Sequence, residues 1–328
     1  LKSSISLQCS TMDRNLLFLC ALLLSFTFAL ANANANANVE HSESSFYPLV
    51  MMHGLGDTCC DPLSLGKIID WIRKEYPGIY VLSLDVKGDF IEQTADGWLL
   101  QFNKQVDDII SIIQADPKLK DGFNMIGFSQ GGILIRGYVE RCNDPPVRQL
   151  ISVGGPNMGV ASLPQCLNGT ICDIVNRVTE LGVYNPIAQE LIAPSNYFKD
   201  LGKYDDYLEH CIFLPDINNE RAQKNALYKQ RMESLLSYVL VMFTEDTIVI
   251  PKESEWFGFY DSAKNDTIVP MESQEIFLDD WIGLKTLYDS HKMHFLSCPT
   301  NHLQFSKEWF YQNLMPLFND TNDVAGYF

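Results

Sequence analysis

A chain of 328 residues that is 46% hydrophobic and 12% aromatic has enough apolar surface for a large core, which excludes the disordered class. With 24 Lys and Arg against 41 Asp and Glu, its formal charge is −17, which excludes the basic footprint that nucleic acid demands and disfavours an electrostatic grip on anionic membranes. The acidity is that of a solvated surface or of a protein that works in an acidic compartment.

The first segment, residues 1–38, reads as upstream residues, a signal peptide and a low-complexity leader. Residues 1–11 precede the first methionine. After Met12-Asp13-Arg14-Asn15 the run LLFLCALLLSFTFAL is too short to span a bilayer comfortably, and Ala29-Leu30-Ala31 suits signal peptidase. A cleaved secretory signal is expected, with no stable membrane insertion of the mature chain. The Ala-Asn alternation over 31–38 has no apolar face.

From residue 39 onward strands and helices alternate. FYPLVMM predicts a buried strand and LSLGKIIDWIRKEY a helix, through Leu65, Ile68, Ile69 and Ile72. IYVLSL is the next strand. Trp98, Phe102, Val106, Ile109 and Ile113 repeat at helical spacing until Asp116-Pro117 stops them. FNMIGF is a strand, Gln130–Glu140 a helix, and QLISVGG another strand. This βαβαβ order predicts a mostly parallel sheet with helices on both faces. Regularity then fails over about 154–237, where five prolines interrupt short apolar patches. Such a stretch predicts a helical insertion over the sheet's functional edge, a lid or groove wall for an apolar ligand. The strand YVLVMF, the strand around MHFLSC and the helix LQFSKEWFYQNLMPLF complete the 39–328 domain.

Nine cysteines, less Cys9 and Cys20 in the leader, leave Cys59, Cys60, Cys142, Cys166, Cys172, Cys211 and Cys298. In an oxidising compartment Cys166 with Cys172 closes a short local loop, and adjacent Cys59-Cys60 either bridge each other or pair elsewhere. Sequons at Asn168, Asn265 and Asn319 agree with secretion. No Cys/His cluster has structural-zinc spacing and His291-Lys292-Met293-His294 lacks further ligands, so neither metal nor other cofactor is expected.

The chemistry begins at Gly127-Phe128-Ser129-Gln130-Gly131, which fits the G-x-S-x-G nucleophile elbow. Asp246 follows an apolar strand, and His302 lies in the loop after the last strand, whereas His294 sits within that strand. The order Ser129, Asp246, His302 is the α/β-hydrolase order of nucleophile, acid and histidine. A serine hydroxyl needs a histidine to accept its proton, and the carboxylate orients that histidine. The oxyanion donors are expected to be the backbone N–H groups of Gln130 and of Leu55 in HGLGD. That glycine-rich turn matches neither phosphate-binding pattern, G-x-x-x-x-G-K-[ST] or G-x-G-x-x-G.

HGLGDTCCDP, GFSQGG, LISVGGPNMGV, FLPDINNER, SEWFGFY and NHLQFSKEWF together resemble the lysosomal palmitoyl-protein thioesterase family over roughly Pro48 to Phe318. The resemblance implies an α/β-hydrolase fold and removal of long-chain acyl groups from S-acylated cysteines of proteins or peptides, in a lysosome or equivalent vacuole. It implies the same roles for Ser129, Asp246, His302, Leu55 and Gln130. Long-chain fatty acyl thioesters are the expected substrates, no nucleic acid is expected as a partner, and the chain is expected to be a monomer. A secreted lipase or carboxylesterase uses the same triad, and a non-catalytic lipid carrier is the third alternative. One departure stands out: the family pairs the cysteine after the elbow helix with one in the preceding helix, where this chain has Ile110. Cys142 is therefore free or paired differently, with Cys211 or Cys298 as candidates.

Overall fold

Leu49–Met52 (β1) is apolar at every position because it is buried on both faces, the pattern that parallel strands require. The computed structural model describes residues 46–86, 101–162, 180–263 and 267–319, with Asn176 and Val178. The expected leader, Trp98, Cys166, Cys172, Asn168 and Asn265 lie outside the described residues.

After β1 come helix α1 (Leu65–Glu75), β2 (Val81–Ser83), α2 (Phe102–Ala115), β3 (Phe123–Phe128), α3 (Gln130–Arg141) and β4 (Val147–Val153). The next segment carries short helices α4 (Pro186–Leu191), α5 (Tyr204–His210), α6 (Leu214–Ile217) and α7 (Ala226–Glu233). Then follow β5 (Ser237–Phe243), a small antiparallel pair β6 (Phe259–Tyr260) and β7 (Ile268–Val269), helices α8 (Glu275–Leu278) and α9 (Leu284–Asp289), β8 (Met293–Cys298) and α10 (Lys307–Asn313). Six strands form one sheet in the order β2-β1-β3-β4-β5-β8, and every neighbouring pair is parallel.

Period-two alternation sends strand side chains to two cores. Val50, Met52, Met125, Leu150, Tyr238 and Leu240 meet α2 and α3, while Met51, Ile126, Ile151, Val239 and Val241 meet α1 and α10. Helices thus cover both faces, as the βαβ order predicts, and the architecture is that of an α/β hydrolase. Residues of the segment 154–237, among them Tyr197, Tyr207, Phe213, Ile217 and Met232, join the core of the α2–α3 face.

Element boundaries differ from expectation most tellingly at β4 and at the last helix. β4 starts at Val147, two residues before the predicted strand, since Val147 pairs with Phe123. The helix read across Leu303–Phe318 is shorter: Leu303 takes a φ of 56°, Ser306 caps α10 by accepting the Trp309 N–H at 3.1 Å, and a 3-10 turn with Pro316 at its second position replaces the last part. An N-cap and a proline overrode an apolar periodicity that runs straight through both.

Candidate active site

The chain leaves β1 toward β2 on one side and comes back as β3 on the other, so the carboxyl ends of β1 and β3 flank a topological switch point, the place where parallel sheets leave a crevice. His53-Gly54-Leu55 follows β1 and Ser129 follows β3. A Cβ on Gly54 would lie 3.0 Å from that of Ser129, so the two turns touch.

Ser129 has φ 53° and ψ −130°, a conformation that costs a non-glycine residue about 1–3 kcal/mol and persists only when its surroundings impose it. They do. The Ser129 N–H donates to Val153 O at 2.8 Å, Gly132 N–H donates to Ser129 O at 2.8 Å, and strand and helix cross so closely that a Cβ on Gly127 would stand 2.4 Å from Gly131 O. Ser129 occupies the N-cap position of α3 without capping it. Its hydroxyl lies 2.8 Å from His302 Nε2 instead.

His302 Nδ1 lies 2.5 Å from Asp246 Oδ2. Asp246 Oδ1 accepts the N–H groups of Ile248 at 2.6 Å and Val249 at 2.9 Å, so the loop after β5 wraps around its own carboxylate. Burial works to raise the Asp246 pKa, but the hydrogen bonds with His302 and Glu255 and the nearby imidazole outweigh it and hold the carboxyl below the ordinary aspartate range. Asn301 ties the two loops together: its Oδ1 accepts the N–H groups of His302 at 2.7 Å and Thr247 at 3.0 Å. Phe243 meets the imidazole edge-on with ring centroids 6.0 Å apart. The structure thus brings Ser129, His302 and Asp246 into one hydrogen-bonded series.

Gln130 opens α3, so its N–H has no acceptor within the helix and points out at the helix N-terminus. Leu55 packs against Val178, Ala188 and Ile192 of the segment between β4 and β5. His294 lies within β8, partly buried, with its pKa lowered by burial. Cys59 and Cys60 are bonded to each other in the loop after β1. Among the described residues Cys142, Cys211 and Cys298 are free thiols; the Cys211 and Cys298 thiols are raised by burial, Cys211 to about 12. Asn319 is exposed.

Sequence reasoning assigned no role to Glu255, Asn301 or the Arg136–Glu140 pair. Glu255 is fully buried, and one ligand atom from each of Asp246, Glu255 and His302 lies within 4.8 Å of the others. A trio of this kind can hold a cation in principle, but hydrogen bonds already engage both Asp246 oxygens and the Nδ1 of His302. Arg136 and Glu140 are fully buried in α3 and bonded at 3.0 Å. Arg136 also donates to Asn157 O at 3.0 Å and Asn218 Oδ1 at 2.8 Å, which anchors the elbow helix to the loop after β4 and to the end of α6. A charged residue inside a run such as GGILIRGYVER, or an acid inside SEWFGFY, is the available signal for such buried pairs.

The comparisons with known proteins bear on the same segments. The family model described as palmitoyl protein thioesterase matches residues 48–302, from the residue before β1 to His302. Palmitoyl-protein thioesterase 1 of Caenorhabditis elegans is 40% identical over 261 residues, covering 79% of this chain and 87% of that one. Palmitoyl-protein thioesterase 3 of Dictyostelium discoideum is 36% identical over 262 residues, covering 79% and 86%. The human lysosomal thioesterase PPT2 is 30% identical over 246 residues, covering 74% and 78%. The chain belongs to the palmitoyl protein thioesterase family.

Proposed function

We propose that this protein is a serine hydrolase that removes long-chain acyl groups, palmitate among them, from S-acylated cysteines of proteins or peptides. The observation that carries this reading is the Ser129–His302–Asp246 series, with separations of 2.8 and 2.5 Å, inside the segment that matches the family. Its relatives are named palmitoyl-protein thioesterases and lysosomal thioesterases.

In this mechanism His302 Nε2 takes the Ser129 proton as Oγ attacks the thioester carbonyl carbon. Asp246 holds the ring in the tautomer that leaves Nε2 free to accept, and stabilises the imidazolium that forms. The N–H groups of Gln130 and Leu55 receive the oxyanion. Collapse of the tetrahedral species breaks the carbon–sulfur bond, and the cysteine departs with a proton from His302. Water, deprotonated by the same imidazole, then hydrolyses the acyl-Ser129 ester and releases the fatty acid. A thiol leaving group with a pKa near 8.5 asks less of the general acid than an alcohol does. The insertion supplies an apolar surface beside the oxyanion turn: Leu55 packs on Val178, Ala188 and Ile192, while Ile187 and Leu191 of α4 stay exposed.

The same reading places the mature protein in a lysosome or equivalent vacuole, as a glycosylated monomer reached through a cleaved signal. Among the described residues no helix is long and apolar enough to cross a membrane. Treatment of the secreted protein with N-glycosidase should reduce its mass, with the exposed Asn319 among the acceptors. Recovery without glycan or signal cleavage contradicts this placement. The function itself is tested by parallel turnover of a palmitoyl-cysteine peptide and of its oxygen-ester counterpart. The thioester should be the better substrate, and preference for the oxygen ester or for emulsified triacylglycerol contradicts the reading.

A further inference from the structure

Glu255 lies in the 3-10 turn Lys252–Trp256, with its side chain fully buried. The turn is fixed on three sides. Asn157 Nδ2 donates to Glu255 O at 3.0 Å, the Ser254 hydroxyl donates to Gly159 O at 2.6 Å, and Trp256 Nε1 donates to Leu240 O at 3.1 Å. The carboxyl cannot swing out to water. Its Oε2 accepts the Phe243 N–H at 2.8 Å, three residues before Asp246 in the chain. Its Oε1 receives no N–H or O–H donor from the described residues, and a Glu255 carboxyl oxygen lies within 4.8 Å of an Asp246 carboxylate oxygen.

Two carboxyl groups this close in a dry interior cannot both ionise, and a single proton between them turns repulsion into a hydrogen bond. We propose that Glu255 is a positioning residue for Asp246: it stays protonated and donates from Oε1 to the carboxylate that orients His302. Burial first, and the Asp246 carboxylate next, push the Glu255 carboxyl well above the ordinary glutamate range, while Asp246 is held below its own. Among the described residues the titratable groups facing Glu255 are Asp246 from the loop after β5, His302 from the loop after β8, and Glu253 on its own turn. With Asp246 fixed from behind, the imidazole keeps one orientation, and the donated proton tempers the charge that Asp246 presents to it.

This inference rests on the triad reading above, and the test separates the two. The kcat/KM for a palmitoyl-cysteine peptide is measured against pH for wild type, Ser129→Ala, Glu255→Gln and Glu255→Leu. A glutamine can accept from Phe243 N–H through its oxygen and donate to Asp246 through its nitrogen. Glu255→Gln should therefore keep the wild-type rate within about twofold and leave the acid limb in place. Glu255→Leu loses the donor; its rate should fall by roughly ten- to a hundredfold as the imidazole loses its fixed geometry, and its acid limb should move up by about one pH unit because an untempered Asp246 favours the imidazolium. An acid limb that moves down in Glu255→Gln means that Glu255 carries charge in the wild type, and overturns the proposal. So does a wild-type profile in Glu255→Leu. Should Glu255→Leu fail to fold, the position of the limb in Glu255→Gln decides alone. If Ser129→Ala keeps full activity, the triad reading fails and this proposal with it; if Ser129→Ala is inactive and the Glu255 profiles depart as described, only the role of Glu255 falls.

Discussion

His302 Nε2 stands 2.8 Å from Ser129 Oγ across 173 residues of sequence. The contact exists because β3 and β8 end on the same edge of one parallel sheet, with Asp246 contributed by β5 beside β8. Ser129→Ala is expected to abolish thioesterase turnover, and Asp246→Asn to lower kcat by about four orders of magnitude by leaving His302 in the wrong tautomer. Circular dichroism should show both variants folded. Near-wild-type turnover by either one removes that residue from the mechanism.

The elbow makes a sharper prediction about stability. A Cβ on Gly127 would stand 2.4 Å from Gly131 O and 2.5 Å from its carbonyl carbon, and both are backbone atoms that cannot move aside cheaply. Gly127→Ala should cost about 2–3 kcal/mol and take the activity with it as Ser129 is displaced. Gly78 has nothing within 4 Å of its Cβ position but a φ of +94°, so Gly78→Ala should cost only about 1 kcal/mol and leave activity intact. Denaturant midpoints of the two variants measure the difference. Equal costs would show that the close crossing of β3 and α3 is not what constrains the elbow.

Stability should fall from mildly acidic toward neutral pH. Burial raises the Glu140 carboxyl to about 7, although Arg136 pulls the other way. Between the ordinary glutamate value and about 7 the folded state holds a proton that the unfolded state has lost. The contribution of Glu140 is therefore fully present below its unfolded pKa and is lost as pH rises through about 7, a change of about 3 kcal/mol. Asp246 and Asp280 act in the opposite sense: both are held below the ordinary range, so their contribution is present above the unfolded aspartate value and is lost as pH falls through their folded values. The thermal midpoint should be higher at pH 5 than at pH 7.5 and should drop below about pH 4. Glu140→Gln should flatten the slope between pH 5 and 7.5. A slope unchanged in that variant assigns the effect to other groups, first among them Glu255, whose carboxyl is also held well above the ordinary glutamate range.

Much of this organisation was legible in the sequence because the physics behind it is local. Fully apolar strands such as FNMIGF announce burial on both faces, and glycines two residues either side of a serine announce a tight strand-to-helix crossing. The positions of Ser129, Asp246 and His302 at strand ends followed from that alternation. What stayed hidden depends on contacts distant in sequence. Glu255 looks like any acid in a turn until the fold seals it beside Asp246, and Asn301 looks like a loop asparagine until its Oδ1 is seen to join two loops 54 residues apart. Arg136 and Glu140 show as charges inside an apolar helix, but their partners Asn157 and Asn218 cannot be read from spacing. The overrun of the last helix had the same origin, since periodicity reports the buried face whereas Leu303, Ser306 and Pro316 decide where the helix runs.

Acyl length should set the specificity constant. Each methylene moved from water onto an apolar wall contributes about 0.8 kcal/mol, so extension from eight to sixteen carbons could add about 6 kcal/mol before the cost of ordering the chain. The kcat/KM for S-acyl cysteine peptides should climb steeply toward C14–C18 on monomeric substrate. A flat profile would show that the surface formed by Leu55 and the insertion does not hold the acyl chain.

The most direct measurement is capture of the acyl-enzyme. Wild-type protein mixed with excess palmitoyl-cysteine peptide, quenched in acid within the first turnover and digested, should yield the Ser129 peptide heavier by one palmitoyl group, together with a stoichiometric burst of free thiol. Ser129→Ala should give neither. Release of thiol with the acyl group on another residue, or an undiminished burst from Ser129→Ala, would contradict the assignment of Ser129 as the nucleophile of a thioesterase.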